Sequence, residues 1–499
     1  MSKRSISLML ALLLAAGTFS CGASETPAGS DTTDASSSGD TTPAEESYTR
    51  ENYPDSLPAL DYKGAPVRIL SRNGDSYKNL EIGPDEETGD VVSDALYARN
   101  RKVEEQLNVT LEVTYGETDS TKHSQSYYNT ILAGDDVYDI IQVVHNRGPQ
   151  YAQDGVFVNL VDAPYLDFEK PWWNDGYMAE ISVAENERYL LQGDISIFSL
   201  RNLSAMFYNK DICDKLYQDP DLLYTHVVDG TWTHDVYRKM VQDAYQDLNA
   251  DGVTDVNDML GGVGNLSTKA DHYAYPAGMV LSERDSDGYP VLLADQSRNV
   301  AIAEALDKLF YQTPGFIILS GEAAKEEAQA RELFINSKLM FLGDRLYNAE
   351  FFRDMRDPYG VIPMPKLDEA QKDYKALVHN STTLYVVPIT LTEIDMACAA
   401  LESMCAETYR KVTPAYYDVA MKVKYSHDEM SGQVMDMLRD AMTTDFVYAN
   451  SSALSNMGVI AREVLKLGAG GNYMSKYDSL KPAVETKLAE MIDKAKSLE

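Results

Sequence analysis

The sequence predicts an α/β fold built as two or more lobes, on three observations. Strand patterns alternate with helix patterns through the first folded third of the chain. That rhythm changes after Pro171-Trp172-Trp173-Asn174. And 499 residues, 44% of them hydrophobic, are more than one core organises.

Residues 67–71 read as a strand. Residues 91–107 carry Val92, Ala95, Leu96, Val103 and Leu107 at helical spacing, and residues 109–115 alternate as a second strand. A helix over 127–133 and a buried strand over 138–144 follow. Such alternation implies right-handed βαβ units in a mostly parallel sheet, whose ligands bind beyond the carboxyl ends of the strands. Those ends are Ser71-Arg72-Asn73 and His145-Asn146-Arg147. Further on, strand signals at 189–191, 205–208, 339–342, 360–364 and 383–387 mix with helices at 233–244, 300–309, 322–333 and 393–411. No repeat recurs at a fixed period. A chain that leaves one α/β lobe, builds another and crosses back points to two lobes around a cleft.

The N-terminus predicts export. Lys3 and Arg4 precede an apolar run at 8–16, too short for a permanent membrane span. Small residues then lead into Cys21, as in a bacterial lipoprotein signal whose cysteine is lipidated. Thr18-Phe19-Ser20 departs from the usual lead-in, so plain secretion is the alternative. From Gly22 to Ser47 there is no aromatic and no basic residue, and a disordered acidic Ser/Thr/Gly linker is expected over 22–59. The layout is that of a protein tethered to the outer face of a bacterial cell membrane.

With 44 Lys+Arg against 78 Asp+Glu the net charge is −34, which repels nucleic acid and anionic membranes alike. Nucleic acid is excluded as a partner, and any membrane contact runs through the lipid anchor. Beyond Cys21, the odd set Cys213, Cys398 and Cys405 forms no disulfide framework. Cys398 and Cys405 lie about 10 Å apart along one predicted helix, too far to bridge. Buried thiols are expected.

The sharpest motif is the run from Asp247 to Asp258. Asp247, Asn249, Asp251, Asp255 and Asp258 place oxygens at positions 1, 3, 5, 9 and 12 of a twelve-residue calcium loop; Val253 offers its carbonyl and Gly252 makes the tight turn. Asp258 stands where the common EF-hand has Glu, which resembles the loop of dockerin modules. A structural Ca2+ is expected, against the alternative of a solvated acidic turn. Asp285-Ser286-Asp287-Gly288 lacks the downstream ligands and reads as a hairpin turn.

No Gly-x-Ser-x-Gly, His-Glu-x-x-His, P-loop or Rossmann pattern occurs, and the seven histidines show no metal-ligand spacing. Among 78 carboxylates no glycosidase pair can be nominated. The expectation is a protein that is not an enzyme. Trp172, Trp173, Trp232 and Tyr347, within an excess of 33 Tyr, have the chemistry to stack on sugar faces, although each alone is more often packing. Trp232 precedes a helix and is expected to pack at its entry.

Several segments together resemble the sugar-binding type of extracellular solute-binding lipoprotein of ABC importers in Clostridia-like bacteria. They are Ser93-Asp94-Ala95-Leu96-Tyr97-Ala98-Arg99-Asn100, Tyr138-Asp139-Ile140-Ile141, Lys170-Pro171-Trp172-Trp173-Asn174, Met206-Phe207-Tyr208-Asn209-Lys210, Asp229-Gly230-Thr231-Trp232-Thr233, Tyr359-Gly360-Val361-Ile362-Pro363-Met364-Pro365 and Thr413-Pro414-Ala415-Tyr416-Tyr417-Asp418. The resemblance implies a periplasmic-binding-protein-like fold of type II, with hinge-linked lobes and a central ligand cleft. Lobe 1 would hold residues 60–180 and 379–445, lobe 2 residues 181–378, and helices over 446–499 would pack across lobe 2. Placed at strand ends by that analogy, the ligand-binding candidates are Arg72, Asn73, His145, Asn146, Trp173, Asp194, Asp344, Arg345 and Tyr347. The implied function is capture of a carbohydrate, an oligosaccharide in the first instance, and its delivery to permease subunits. A peptide or organic-acid solute, a surface glycan-active enzyme and a dockerin-like adhesin are the alternatives.

Overall fold

The structure is a computed structural model describing residues 48–421 and 429–498, with the side chains of 323, 418–421 and 429–432 excepted. The expected signal, Cys21 and the linker up to residue 47 lie outside the described residues.

Two sheets organise the chain. The strands are β1 (Ala65–Ser71), β2 (Val109–Tyr115), β3 (Ile140–Val144), β4 (Ser204–Asn209), β5 (Leu260–Gly264), β6 (Phe316–Ile318), β7 (Leu339–Arg345), β8 (Tyr359–Ile362) and β9 (Thr383–Val386). The first sheet has the order β9-β3-β1-β2, with β1 parallel to β2 and β3 and with β9 antiparallel to β3. The second has the order β8-β4-β7-β5-β6, parallel among β5, β6 and β7 and antiparallel about β4.

Side chains on β1 alternate between two cores, as a strand covered on both faces requires. Val67 and Ile69 join a core with Trp172, Trp173 and the helix Asp395–Glu407, while Leu70 joins the other. That second core also takes Ile141 and Val143 and runs without a break into the packing of the second sheet. The helix Val91–Leu107 starts where Asp90 caps the Val92 and Ser93 amides, and it stops at Asn108 in the left-handed region. In β5, Gly261 lies against the backbone of Val241, where a Cβ would collide with the Val241 carbonyl; the missing side chain lets the helix His234–Ala244 lie down on the sheet.

The chain passes between the sheets along two adjacent stretches. Leu191 bridges Tyr385 at the first sheet, and Leu203 bridges Val378 beside the second. Residues 442–443 form a third passage, paired in parallel with 376–377.

Three expectations change. The linker ends earlier than residue 59: Tyr53 packs edge-on to Trp172 and Asp55 pairs with Arg410, so the chain joins the first core soon after Thr49. The helix Glu429–Asp440, expected in lobe 1, packs on β8 of the second sheet, because Val434, Met435 and Leu438 belong to that core. The last helix, Tyr473–Lys496, lies on the helix Ser297–Gln312 but also reaches the other half, where Lys494 pairs with Asp154. As expected, Cys213, Cys398 and Cys405 are buried free thiols, Trp232 packs with its indole N–H on the Pro363 carbonyl, and 285–288 turn a hairpin. No helix among the described residues is long and apolar enough to cross a membrane.

Candidate ligand site at the hinge

β1 and β3 end side by side, and β9 starts at the same edge because it runs the opposite way. The segment 379–382 entering β9 therefore lies along the carboxyl ends of the parallel strands. The His145 amide donates to the Thr382 carbonyl (3.0 Å), the Asn146 amide to Asn380 (3.1 Å), and the His379 amide to Asn202 on the outgoing passage (3.0 Å). Arg72 donates from Nη1 to the Ser381 carbonyl (2.8 Å) and to Thr383 Oγ1 (3.1 Å). Residues 379–383 thus gather groups from three places in the chain.

Several of the buried polar atoms left unpaired lie on or beside this segment. Both ring nitrogens of His145, Asn146 Oδ1, Thr382 Oγ1 and His379 Nε2 are buried and find no hydrogen-bond partner among the described residues. The same holds for both nitrogens of His272, on the helix Thr268–Ala274, whose ring stands 5.9 Å from that of His379. Burial pushes His145 down to about 4, His272 down to about 3 and His379 well below the usual imidazole value. Each ring is therefore neutral near pH 7; His145 and His272 each offer one donor and one acceptor, while His379, whose Nδ1 accepts from the Ser381 amide (3.2 Å), offers its Nε2–H as a donor. An unpaired buried polar atom costs about 1–3 kcal/mol, and native structures keep few of them. The cluster has the chemistry to pair with the hydroxyls of a polar guest.

A ladder of cations and rings borders the cluster. Arg72 lies 4.2 Å over the ring of Tyr77, Tyr77 stacks on Phe198, and Arg201 lies 4.5 Å over the far face of Phe198. Arg201 also approaches Tyr347 (6.0 Å), which carries Arg345 at 4.7 Å. The second-sheet members are neutralised: Arg201 binds Glu350 through Nε and Nη2 (2.7 and 3.0 Å), and Arg345 and the Tyr347 hydroxyl both bind Glu327. Burial raises the Tyr347 phenol to about 12. Asp344 at the end of β7 takes Lys269 at 2.5 Å; burial alone would raise its carboxyl, but Lys269, Arg345 and His272 together hold it well below the usual range.

Of the residues expected in the cleft, Arg72, His145 and Asn146 meet at the hinge, and Arg345 and Tyr347 stand in the ladder. Asp344 is spent on its lysine. Asn73 ties Gly116 beside the end of β2 through Nδ2. Trp173 and Asp194 go elsewhere. Trp172 and Trp173 both donate their indole N–H to Glu402 (3.2 and 2.7 Å), which holds them in the first core instead of presenting a stacking face. Asp194 accepts from Arg439 and Thr413, and with Trp173 it lines a separate cavity of about 320 Å³. Sequence reasoning missed His272, His379, Thr382, Tyr77, Phe198 and Arg201. One signal was available for two of them: a strand is expected from 383, and its antiparallel direction, seen only in the structure, puts the residues leading into it at the binding edge.

In the loop 247–258, Asp247 accepts from the Ala250 and Gly252 amides, Asp251 from Val253, and Asp258 from Leu248 and Asp255. Gly252 has φ +74° and Asp258 is fully buried. The donors are the hard oxygens that calcium takes. Even so, among the described residues no three His, Cys, Asp or Glu converge as a ready metal-holding group.

No known family model matches the chain, and no curated protein matches it in sequence. Solved structures do match in fold. One is the maltose/maltodextrin-binding domain MalE from Bdellovibrio bacteriovorus bound to maltotriose, with 14% identity and TM-score 0.51, covering 86% of this chain and 100% of that one. A cyclo/maltodextrin-binding protein complexed with maltotetraose has 12% identity and TM-score 0.52, covering 87% and 97%. UgpB from Mycobacterium tuberculosis in complex with glycerophosphocholine has 12% identity and TM-score 0.51, covering 86% and 100%. This chain has the two-lobed, type II periplasmic-binding-protein fold. In that fold, the passages at 191–203 and 378–385 are the hinge, and the unpaired cluster sits on it.

Proposed function

We propose that the protein is the extracytoplasmic solute-binding component of an ABC importer, tethered through a lipidated Cys21, and that it captures a carbohydrate at the hinge for delivery to permease subunits. The observation that carries this reading is the cluster of neutral, unpaired hydrogen-bonding groups on His145, Asn146, His272, His379 and Thr382. Sugar hydroxyls both donate and accept, as neutral imidazoles do. Two of the solved structures that share the fold hold maltotriose and maltotetraose. The role is binding, with no chemical step: the groups that face the cluster are suited to hold a guest. The loop 247–258 binds one structural Ca2+ in the same reading.

A thermal-shift screen of the purified protein, with calcium, against mono- and oligosaccharides, peptides and organic acids tests it. A ligand that binds only the folded state raises the midpoint by mass action. A shift with a saccharide series supports capture of carbohydrate. A shift only with peptides or acids removes the carbohydrate and leaves transport standing. Release of a chromophore from a glycoside would overturn the binding role.

A further inference from the structure

Arg72 is a buried cation without a counter-ion. It is 8% exposed, and its bonds go to neutral oxygens only, from Nη1 to Ser381 and Thr383, with one face on Tyr77. Nε and Nη2 find no acceptor among the described residues. The contrast with its neighbours is sharp: Arg201 spends this same edge on Glu350, Arg345 pairs with Glu327, Lys269 with Asp344 and Arg462 with Asp271. Glu81 is the carboxyl that shares the field of Arg72, but Arg99 draws on it as well, and its Oε1 is taken by the Tyr385 hydroxyl at 3.0 Å. The hinge therefore keeps a positive excess inside a chain of net charge −34.

Burying an uncompensated charge costs several kcal/mol, which a fold tolerates where an opposite charge arrives later. The Nε–Nη2 edge of a guanidinium is the fork that grips a carboxylate or phosphate with two parallel bonds. Through Ser381 and Thr383, Arg72 is bonded to the same five-residue segment whose Thr382 and His379 atoms are unpaired. We propose that the captured solute is an acidic carbohydrate, bearing a carboxylate or a phosphate, and that the free edge of Arg72 binds this oxyanion while the histidine cluster takes the hydroxyls. This rests on the carbohydrate reading above. The acidic surface repels anions, so selection for one has to come from a buried cation such as this.

The test is calorimetric titration of the purified protein with three probes: an oligogalacturonate, a sugar monophosphate, and neutral maltooligosaccharides of matching length. One charged series is expected to bind at least 100-fold tighter than the neutral one, and which series does so tells carboxylate from phosphate. Arg72→Met is expected to remove that advantage, and Arg72→Lys to recover part of it as a point charge. Inorganic phosphate alone should raise the thermal midpoint of the parent protein and do so less for Arg72→Lys, a readout that stands even if Arg72→Met does not fold. Equal binding of neutral and acidic saccharides, or an Arg72→Met variant within threefold of the parent, would overturn the oxyanion while carbohydrate capture stands. Binding of no saccharide of either charge, with a shift from peptides instead, would overturn both.

Discussion

Tyr77 and Phe198 stack with ring centroids 4.6 Å apart and planes 20° from parallel. Tyr77 follows the first strand of the first sheet; Phe198 stands on the short helix Ile197–Arg201 in the passage to the second. With Arg72 and Arg201 on their outer faces, the two rings fasten the first half of the molecule to its hinge. Domain closure of this kind swings one lobe about a few hinge residues, and any opening has to part contacts such as these.

A double-mutant cycle of Tyr77→Leu and Phe198→Leu should therefore show a coupling energy of about 1 kcal/mol in urea denaturation, the size of an aromatic pair beyond its buried area. Strict additivity of the two single changes would show that the rings do not fasten the halves.

The His145 ring carries a pH signature. Its pKa falls from 6.5 to about 4 through burial, so as the pH drops the unfolded chain takes up a proton first. Stability is kept above pH 6.5 and lost progressively as the pH falls towards 4. Relative to the parent, His145→Gln should gain about 2 kcal/mol between pH 7.5 and pH 5 in urea titrations. The same variant should weaken solute binding at least tenfold at pH 7.5; unchanged affinity would take His145 out of the site.

Much of the first sheet is legible because its signals are local. The helix Val91–Leu107 and the strand Val109–Tyr115 have the bounds their periodicity predicts, with Asp90 and Asn108 as caps. The site is legible only where it coincides with a strand end, as at Arg72, His145 and Asn146. His272 meets His379 across more than a hundred residues, and nothing near either of them in the chain announces it. Trp173 misleads for the same reason: its partner Glu402 lies 229 residues away, and only the fold turns a candidate stacking face into a core contact.

Trp173→Phe should accordingly separate stability from binding. It removes the indole donor to a buried carboxyl at a cost of about 1–3 kcal/mol, measured by denaturation, while solute affinity stays within threefold. A tenfold loss of affinity at unchanged stability would return Trp173 to the binding surface.

For the loop 247–258, chelation should lower the thermal midpoint, and millimolar calcium should restore it. Asp251→Asn keeps the side-chain oxygen that accepts the Val253 amide, and removes the charge together with the exposed Oδ2 acceptor of the Asn249 side chain. Metal-free stability should then change by less than about 0.5 kcal/mol, as for an exposed polar site, while calcium affinity falls at least tenfold. A midpoint indifferent to both chelator and calcium would leave the loop a turn held by its own amides.

Glu81 gives the opposite pH slope from His145. Burial raises its carboxyl from 4.5 to about 7, against the pull of Ser196, Tyr385, Arg72 and Arg99. Between those values the folded chain holds a proton that the unfolded chain has released. Stability therefore falls as the pH rises through 4.5 to 7, and the full penalty, up to about 3 kcal/mol, applies above it. Glu81→Gln keeps an oxygen for the Tyr385 hydroxyl and carries no charge, so it should gain roughly 2–3 kcal/mol on the parent between pH 5 and pH 8. It also removes the one negative charge that Arg72 shares, so an acidic solute should bind the variant more tightly at pH 8 and a neutral one should not. A variant that destabilises equally at both pH values would mean that Glu81 is ionised throughout, and that the charge of Arg72 is already answered from within the protein.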